Sequence, residues 1–301
     1  QQDAQYSMYM FNGLYINPAY AGSQEIPTMN ALYRKQWTGF DGSPSSGSFA
    51  FHMPFKKDPN AIGFILGYDK IGVTEIYGLD AIYAYRIKLN DRYKISIGIQ
   101  AGFDQYVADL TQVALPDPTQ PDESFSDNRS LFLPNVGTGI YAYSDKFYAG
   151  FSIPHLLNNS LEESFELGPD SSARQFRHYF ASVGYVFGKK MANVKFKPSI
   201  LFKYVDNAPV DFDFNASILI IDRFWIGASY RTGGDYRNGW GESIIGMFEF
   251  MATPRLRVGY AYDRTISQLS KVNNGSHEIM IGWDFYHEDQ RFVNPRYVKY
   301  F

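Results

Sequence analysis

Apolar and polar residues alternate along most of this 301-residue chain. One face of the segment 94–104 carries Ile95, Ile97, Ile99, Ala101 and Phe103, and the other carries Lys94, Ser96, Gly98, Gln100, Gly102 and Asp104. A period of two residues is that of a β-strand. The same alternation predicts fourteen strands, at 28–37, 45–54, 60–69, 74–87, 92–104, 135–143, 146–154, 175–187, 195–205, 210–220, 223–231, 240–251, 254–263 and 276–286.

The strand lengths and the aromatic residues favour a membrane barrel over a soluble sandwich, although both folds show alternation. Many of the predicted strands have about the nine to eleven residues that a tilted membrane strand needs. Aromatic residues make up 18% of the chain and recur near strand ends, as at Tyr83, Tyr85, Trp283 and Phe285. Two belts of aromatic residues at the membrane interfaces are typical of outer-membrane barrels. The sequence contains no apolar run long enough for a membrane-spanning helix.

The connections between the predicted strands alternate in length. The long ones are 38–44, 105–134, 155–174, 232–239 and 264–275, whereas the intervening turns include 144–145, 221–222 and 252–253. Long loops on one side and tight turns on the other are the layout of outer-membrane barrels. The prediction is therefore an all-β, transmembrane antiparallel β-barrel of about fourteen strands, in the outer membrane. Its long loops are expected outside the cell, and both termini in the periplasm.

The first residues of the chain have neither a strand's nor a helix's periodicity. Residues 9–23 are rich in aromatic and apolar side chains and are interrupted by turns at Asn17-Pro18 and Ala21-Gly22. Side chains alone do not fill a barrel of about fourteen strands, so we expect this segment to pack inside as a plug. Recognition of a partner is the alternative. The candidate plug residues are Tyr9, Phe11, Leu14, Tyr15, Ile16, Asn17, Pro18 and Tyr20.

These patterns predict one outer-membrane domain over residues 1–301. It consists of a plug or periplasmic segment at 1–27, a barrel at 28–286 and a periplasmic tail at 287–301. The chain starts at Gln1 without a charged-then-apolar leader, which is consistent with a signal peptide already removed.

Composition and motifs give no positive evidence for an enzyme or a cofactor. A net charge of −3 argues against nucleic-acid binding, and the lack of cysteine excludes thiolate metal sites. The run Asp211-Phe212-Asp213-Phe214-Asn215 has the spacing that begins a calcium loop, but no glycine follows at the sixth position. Because it lies on a predicted strand, we expect its polar residues to face the lumen. Arg255, Arg257, Glu278 and Asp284 are expected to form lumenal ion pairs.

The N-terminal block also carries a family resemblance. Residues 9–23, with Arg34, Gln36-Trp37, Gly39-Phe40 and Pro44, resemble the opening of the PorP/SprF family of outer-membrane proteins associated with type IX secretion in Bacteroidota. Asn294-Pro295-Arg296-Tyr297 resembles the family's closing motif, and Gly13 stands where a proline is expected. The resemblance implies export or surface attachment of cargo, such as adhesins, through the cargo's C-terminal domain, and a link to gliding. The implied partners are that domain, other secretion components, membrane lipids and lipopolysaccharide. A FadL-like channel for small or hydrophobic solutes is the alternative.

The two longest predicted loops are the candidate docking surface. Loops 105–134 and 155–174 mix apolar with acidic residues, as association surfaces do. The candidate partner-binding residues are Val113, Leu115, Phe125, Leu131, Phe132, Leu156, Leu157, Leu161 and Phe165. Alternatively, these loops fold over the mouth of the barrel and close it.

Overall fold

The structure is a computed structural model that describes residues 4–39, 41–56, 58–112, 128–159, 174–189, 192–206, 208–233 and 241–285. These residues form fourteen antiparallel strands in one closed barrel, in which each strand pairs with its sequence neighbours and β1 pairs with β14. The strands are β1 Thr28–Lys35, β2 Ser45–Pro54, β3 Asn60–Ile71, β4 Thr74–Lys88, β5 Lys94–Ala108, β6 Arg129–Tyr143, β7 Phe147–Ile153, β8 His178–Tyr185, β9 Val194–Val205, β10 Asp211–Ile220, β11 Phe224–Arg231, β12 Ser243–Met251, β13 Leu256–Thr265 and β14 Ser276–Asp284. The predicted fold class and strand number are confirmed.

The two faces of the barrel wall have opposite chemistry. On β10, Phe214 and Ile218 are 44% and 40% exposed on the outside, whereas Asp213, Asn215 and Ser217 are buried in the lumen. Apolar side chains that face outward, with charged groups buried inside, are the arrangement of a barrel that sits in lipid. The helices of the described ranges fall short of the length and hydrophobicity that a membrane-spanning helix needs.

The two ends of the barrel differ. The end that holds connections 36–44, 109–128, 154–177, 232–242 and 266–275 is called the loop end. The opposite, turn end holds shorter connections, such as 144–146 and 221–223. In the latter, Ile221 and Asp222 have φ angles of 50° and 54°, as a tight hairpin turn requires at both central positions.

The wall is much taller on one side. Strands β4, β5 and β6 each have 15 residues, whereas β7 has 7. Only Thr138–Tyr143 of β6 pairs with β7, so the first half of β6 lies at an edge. The predicted loop 105–134 was therefore too long. The strand includes Pro134, which is tolerated because this part of β6 has no second neighbouring strand.

The segment before β1 runs through the lumen from one end to the other. It forms a 3₁₀ turn at Tyr9–Phe11, a single helical turn α1 at Gly13–Ile16 and a 3₁₀ turn at Pro18–Tyr20. Gln5 contacts Lys203 near the loop end, whereas Pro27 accepts a hydrogen bond from Phe285 at the turn end. Residues 4–8 therefore lie at the end opposite to the one expected for the N-terminal segment. The predicted tail, 287–301, lies outside the described residues.

Candidate functional site

At the loop end, one buried carboxylate fixes the start of the N-terminal segment. Glu278 on β14 accepts hydrogen bonds from the backbone N–H groups of Ser7 and Met8, at 2.7 and 2.8 Å. The Arg34 guanidinium on β1 pairs with Glu278 at 3.3 Å and with Asp263 at 2.8 Å. Arg34 and Glu278 are 2% and 1% exposed. A buried charge needs such partners, because its lost hydration is otherwise uncompensated.

The residues of the calcium-like motif belong to a second ion-pair network. Asp213 pairs with Arg231 at 2.8 Å and with Lys203 at 3.1 Å, and Lys203 also pairs with Asp211 at 2.7 Å. Asp263 lies 3.5 Å from Arg231 and so joins this network to that of Arg34. Protein cations therefore hold the carboxylates that a calcium ion would need. Within the described part of the chain, no group of three or more His, Asp or Glu side chains is arranged so that it could hold a metal ion.

Two of the residues expected in lumenal ion pairs, Arg257 and Asp284, belong to a third network near the turn end. Arg257 pairs with Asp284 at 3.2 Å and with Glu249 at 3.4 Å, and it donates to the Asn30 side chain at 2.8 Å. Asp284 and Glu278 are therefore in ion pairs, as expected. Arg255 does not lie in the lumen as expected, because it is exposed in the turn that precedes β13.

In the middle of the lumen, the Asn17 side chain holds the segment to the barrel wall. Its Nδ2 donates to the carbonyl oxygens of Ile140 on β6 and Phe151 on β7, at 3.0 and 3.4 Å. Its Oδ1 accepts from the backbone N–H of Ala19 at 2.9 Å and so caps the Pro18–Tyr20 turn. Nearby, Ser152 donates to the carbonyl of Ile16 at 2.7 Å.

Glycines in the wall make this close approach possible. A Cβ at Gly98 would lie 2.2 Å from the backbone nitrogen of Ala19, and one at Gly139 would lie 2.2 Å from Oδ1 of Asn17. Both distances are far below normal contact. These inward glycines on β5 and β6 therefore form the surface on which the segment lies. Inward glycines opposite an apolar segment are the sequence signal that could have located this contact.

At the turn end, strand residues bind the last part of the segment. Gly22 donates its backbone N–H to Nδ1 of His52 at 3.3 Å, and its carbonyl accepts from Arg86 at 2.9 Å. Glu25 pairs with Lys94. Sequence reasoning did not single out Arg86 or Glu25, because a contact between a loop and a strand leaves no periodic pattern.

Aromatic packing fills the space between these three anchors. The ring centroids of Tyr6 and Tyr15 are 4.8 Å apart, and those of Tyr20 and Tyr141 are 5.5 Å apart. Of the eight candidate plug residues, Tyr15 is half-buried and the other seven are buried.

Among the cavities in the described part of the lumen, two lie at the loop end. The larger has a volume of about 460 Å³ and the smaller about 110 Å³. Ala4, Tyr6, Tyr15 and Phe180 line both, so the two cavities flank the first residues of the segment. The N-terminal segment therefore occupies the middle of the lumen but leaves space above it.

The structure describes four of the nine candidate partner-binding residues. Leu131 and Phe132 lie on β6 and not in a loop, and Phe132 is 58% exposed on the outer face. Leu156 and Leu157 lie after β7, where both backbone groups of Leu157 bond to the Asn135 side chain. The other five, Val113, Leu115, Phe125, Leu161 and Phe165, lie outside the described residues.

The inverted polarity of the wall and its closure define an outer-membrane β-barrel. A sequence profile of the family described as "Type IX secretion system membrane protein PorP/SprF" matches residues 1–283. The chain therefore belongs to the PorP/SprF family, and its outer-membrane location and part in type IX secretion follow from that membership. Membership also implies contact with other components of the secretion system.

Solved structures support the fold alone, and no curated protein matches the chain in sequence. The toluene transporter TbuX of Ralstonia pickettii has a TM-score of 0.55 at 8% identity, over 92% of this chain and 94% of its own. The CymD monoaromatic hydrocarbon channel has a TM-score of 0.51 at 10% identity, over 92% and 93%. A Pseudomonas aeruginosa FadL homologue has a TM-score of 0.50 at 12% identity, over 92% and 94%.

Proposed function

We propose that this barrel serves the export or surface attachment of type IX cargo, such as adhesins, by holding the cargo's C-terminal domain. Family membership supports this function over a general pore. The occupied lumen supports it too, since a segment with anchors at three levels leaves little room for a folded chain to pass. The barrel then acts as a binding platform in the membrane.

We further propose that the chain is one domain, with the loop end outside the cell and the turn end and residues 287–301 in the periplasm. Long connections on the outer side are the rule for barrels of this kind. The turn end carries Lys88, Arg92, Lys146 and Lys189. A basic rim there suits contact with acidic surfaces of lipids or of other secretion components.

The N-terminal segment acts as a plug in this proposal. Its eight candidate residues pack among lumenal side chains, and Glu278, Asn17 and Arg86 each fix a different level of it. Deleting residues 5–23 should therefore raise ion conductance in planar bilayers. Unchanged conductance and an unchanged unfolding temperature would argue against a plug.

The docking surface is proposed to lie on the tall side of the loop end. Phe132 is exposed near the start of β6, beyond the last pair with β7, and the two longest connections begin at this side. An exposed aromatic residue beside acidic loops suits a protein interface. The nine candidate partner-binding residues remain part of this proposal.

The decisive experiment replaces residues 113–127 with a short Gly-Ser linker in cells that display cargo. Both flanking strands stay intact, because β5 ends at Ala108 and β6 begins at Arg129. We expect loss of surface cargo while the purified barrel still shifts its mobility on SDS gels upon boiling. A second pair compares Phe132→Ala with Phe248→Ala, an outward phenylalanine that is 47% exposed within β12. Normal surface cargo in the linker and Phe132 variants would refute docking at this face.

A solute channel is the second candidate. The loop-end cavity of about 460 Å³ favours it, since pockets that hold small ligands have about this size. Uptake of a hydrophobic solute into liposomes, abolished when the N-terminal segment is disulfide-bonded to the wall, would favour this candidate over cargo docking.

A further inference from the structure

Aromatic residues form part of the lining of the larger loop-end cavity. Tyr9 and Tyr15 of the N-terminal segment, together with Phe180 of β8, line it. Its volume of about 460 Å³ exceeds what a single water or ion requires. Tyrosine faces attract cations through the quadrupole of the ring, and their apolar bodies accept aromatic or aliphatic groups. This part of the lining therefore suits a ligand with an apolar body.

The same cavity is also lined by two carboxylates, Asp211 and Glu242, and by Gly233. Gly233 donates its backbone N–H to Oδ1 of Asp211 at 3.0 Å. A Cβ at Gly233 would lie 2.8 Å from Oε2 of Glu242 and 3.2 Å from Oδ1 of Asp211. Both carboxylates thus pack against the Gly233 backbone at the cavity wall, closer than any side chain at position 233 would allow.

The cation in the cavity wall, Lys203, pairs with more than one carboxylate. Lys203 lines the cavity and pairs with Asp211 at 2.7 Å, but it also pairs with Asp213 at 3.1 Å. Burial raises the pKa of Glu242, and the positive charge of Arg231 offsets only part of this rise. A cation that enters beside Glu242 would therefore stabilise its ionised form.

The donor set suits an organic cation better than a metal ion. Calcium takes six to eight oxygen ligands, and the described residues contain no group of three or more side chains arranged to hold a metal. Aromatic walls beside carboxylates are the chemistry that recognises alkylammonium and guanidinium groups. We propose that the larger loop-end cavity binds an organic cation, that is, an ammonium or guanidinium group attached to an aromatic or aliphatic body. The inference goes beyond cargo docking and does not rest on it.

A free amine and a basic side chain of a polypeptide present this same chemistry, so the test uses both. The probes are tryptamine, its uncharged analogue tryptophol, and a capped Lys-Trp dipeptide, titrated calorimetrically into the full chain in detergent. Tryptamine or the dipeptide should bind at least about tenfold more tightly than tryptophol, because the charged group adds a charge-assisted hydrogen bond. Tighter binding of the dipeptide than of tryptamine would identify a polypeptide as the source. Equal binding of tryptophol, or no binding of either cationic probe, overturns the proposal.

Three variants locate the site. Glu242→Gln should weaken the better cationic probe about tenfold. Gly233→Ala should weaken it without changing any charge, since its methyl group would lie 2.8 Å from Oε2 of Glu242 and displace this carboxylate. Asp41→Asn, at an exposed carboxylate of the loop end, is the matched control and should bind normally. Each variant is first checked for heat-modifiable mobility on SDS gels. Unchanged affinity for the cationic probe in folded Glu242→Gln and Gly233→Ala would overturn the proposal that the probe binds in the larger loop-end cavity.

Discussion

Replacing Asn17 with alanine should release the N-terminal segment without damaging the barrel. Asn17 is buried, and its side chain makes three hydrogen bonds, two to wall carbonyls and one to the Ala19 N–H. Alanine keeps the backbone and removes all three. The barrel's own strand pairs do not involve this side chain, so the change should act on the docked segment alone.

The expected change in the docking free energy of the segment follows from those three hydrogen bonds. Each hydrogen bond contributes about 1 kcal/mol net, so their loss should cost about 3 kcal/mol of docking free energy. At 1.4 kcal/mol per tenfold change, the undocked population should rise about a hundredfold.

Hydrogen exchange followed by mass spectrometry measures this population directly. The Asn17 and Tyr20 amides bond within the segment, to the carbonyls of Gly13 and Asn17, and they exchange only when it opens. We expect faster exchange over residues 9–23 in Asn17→Ala and unchanged exchange in the strands. Asn158→Ala, at an exposed asparagine, is the control and should match the wild type. Equal exchange in all three proteins would refute the view that Asn17 anchors the segment.

Three further substitutions test other features of the wall. Gly98→Ala should make the N-terminal segment sensitive to protease, because the added Cβ would lie 2.2 Å from the backbone nitrogen of Ala19. Gly246→Ala is the control and should not, since nothing lies within 4 Å of its Cβ. Glu278→Ala should lower the free energy of unfolding in urea by about 3–5 kcal/mol, because it leaves the buried Arg34 charge without this partner. Adding Arg34→Met should restore part of the lost stability. A double variant that is no more stable than Glu278→Ala would contradict a buried Arg34–Glu278 ion pair. Ile221→Asn should raise the free energy of unfolding by about 1 kcal/mol, because asparagine tolerates the positive φ of 50° at this position. A lower free energy of unfolding would contradict this explanation.

Alternation predicted the strands well, because a wall between lipid and a polar lumen imposes a period of two on every strand. The outward isoleucines of β5 and the inward carboxylates of β10 lie where that period puts them. The contacts of the N-terminal segment were out of reach, since Glu278 binds Ser7 and Met8 across almost the whole chain. Nothing local in the sequence marks such a pair. The start of β6 was out of reach for a different reason, because its first residues include Pro134, and a proline is accommodated within a strand mainly where that strand lies at an edge.

The bond between the segment and β14 has a consequence for the order of assembly. Ser7 and Met8 are separated from Glu278 by 271 and 270 positions, so the first residues of the chain depend on its last strand. Contacts of such long sequence separation form late, because the intervening chain must first be ordered. Arg34 on β1 and Glu278 on β14 also meet only when these two strands close the barrel. Closure of the barrel and full docking of the segment should therefore be one kinetic event, and a barrel stalled before β14 should hold its first residues loosely.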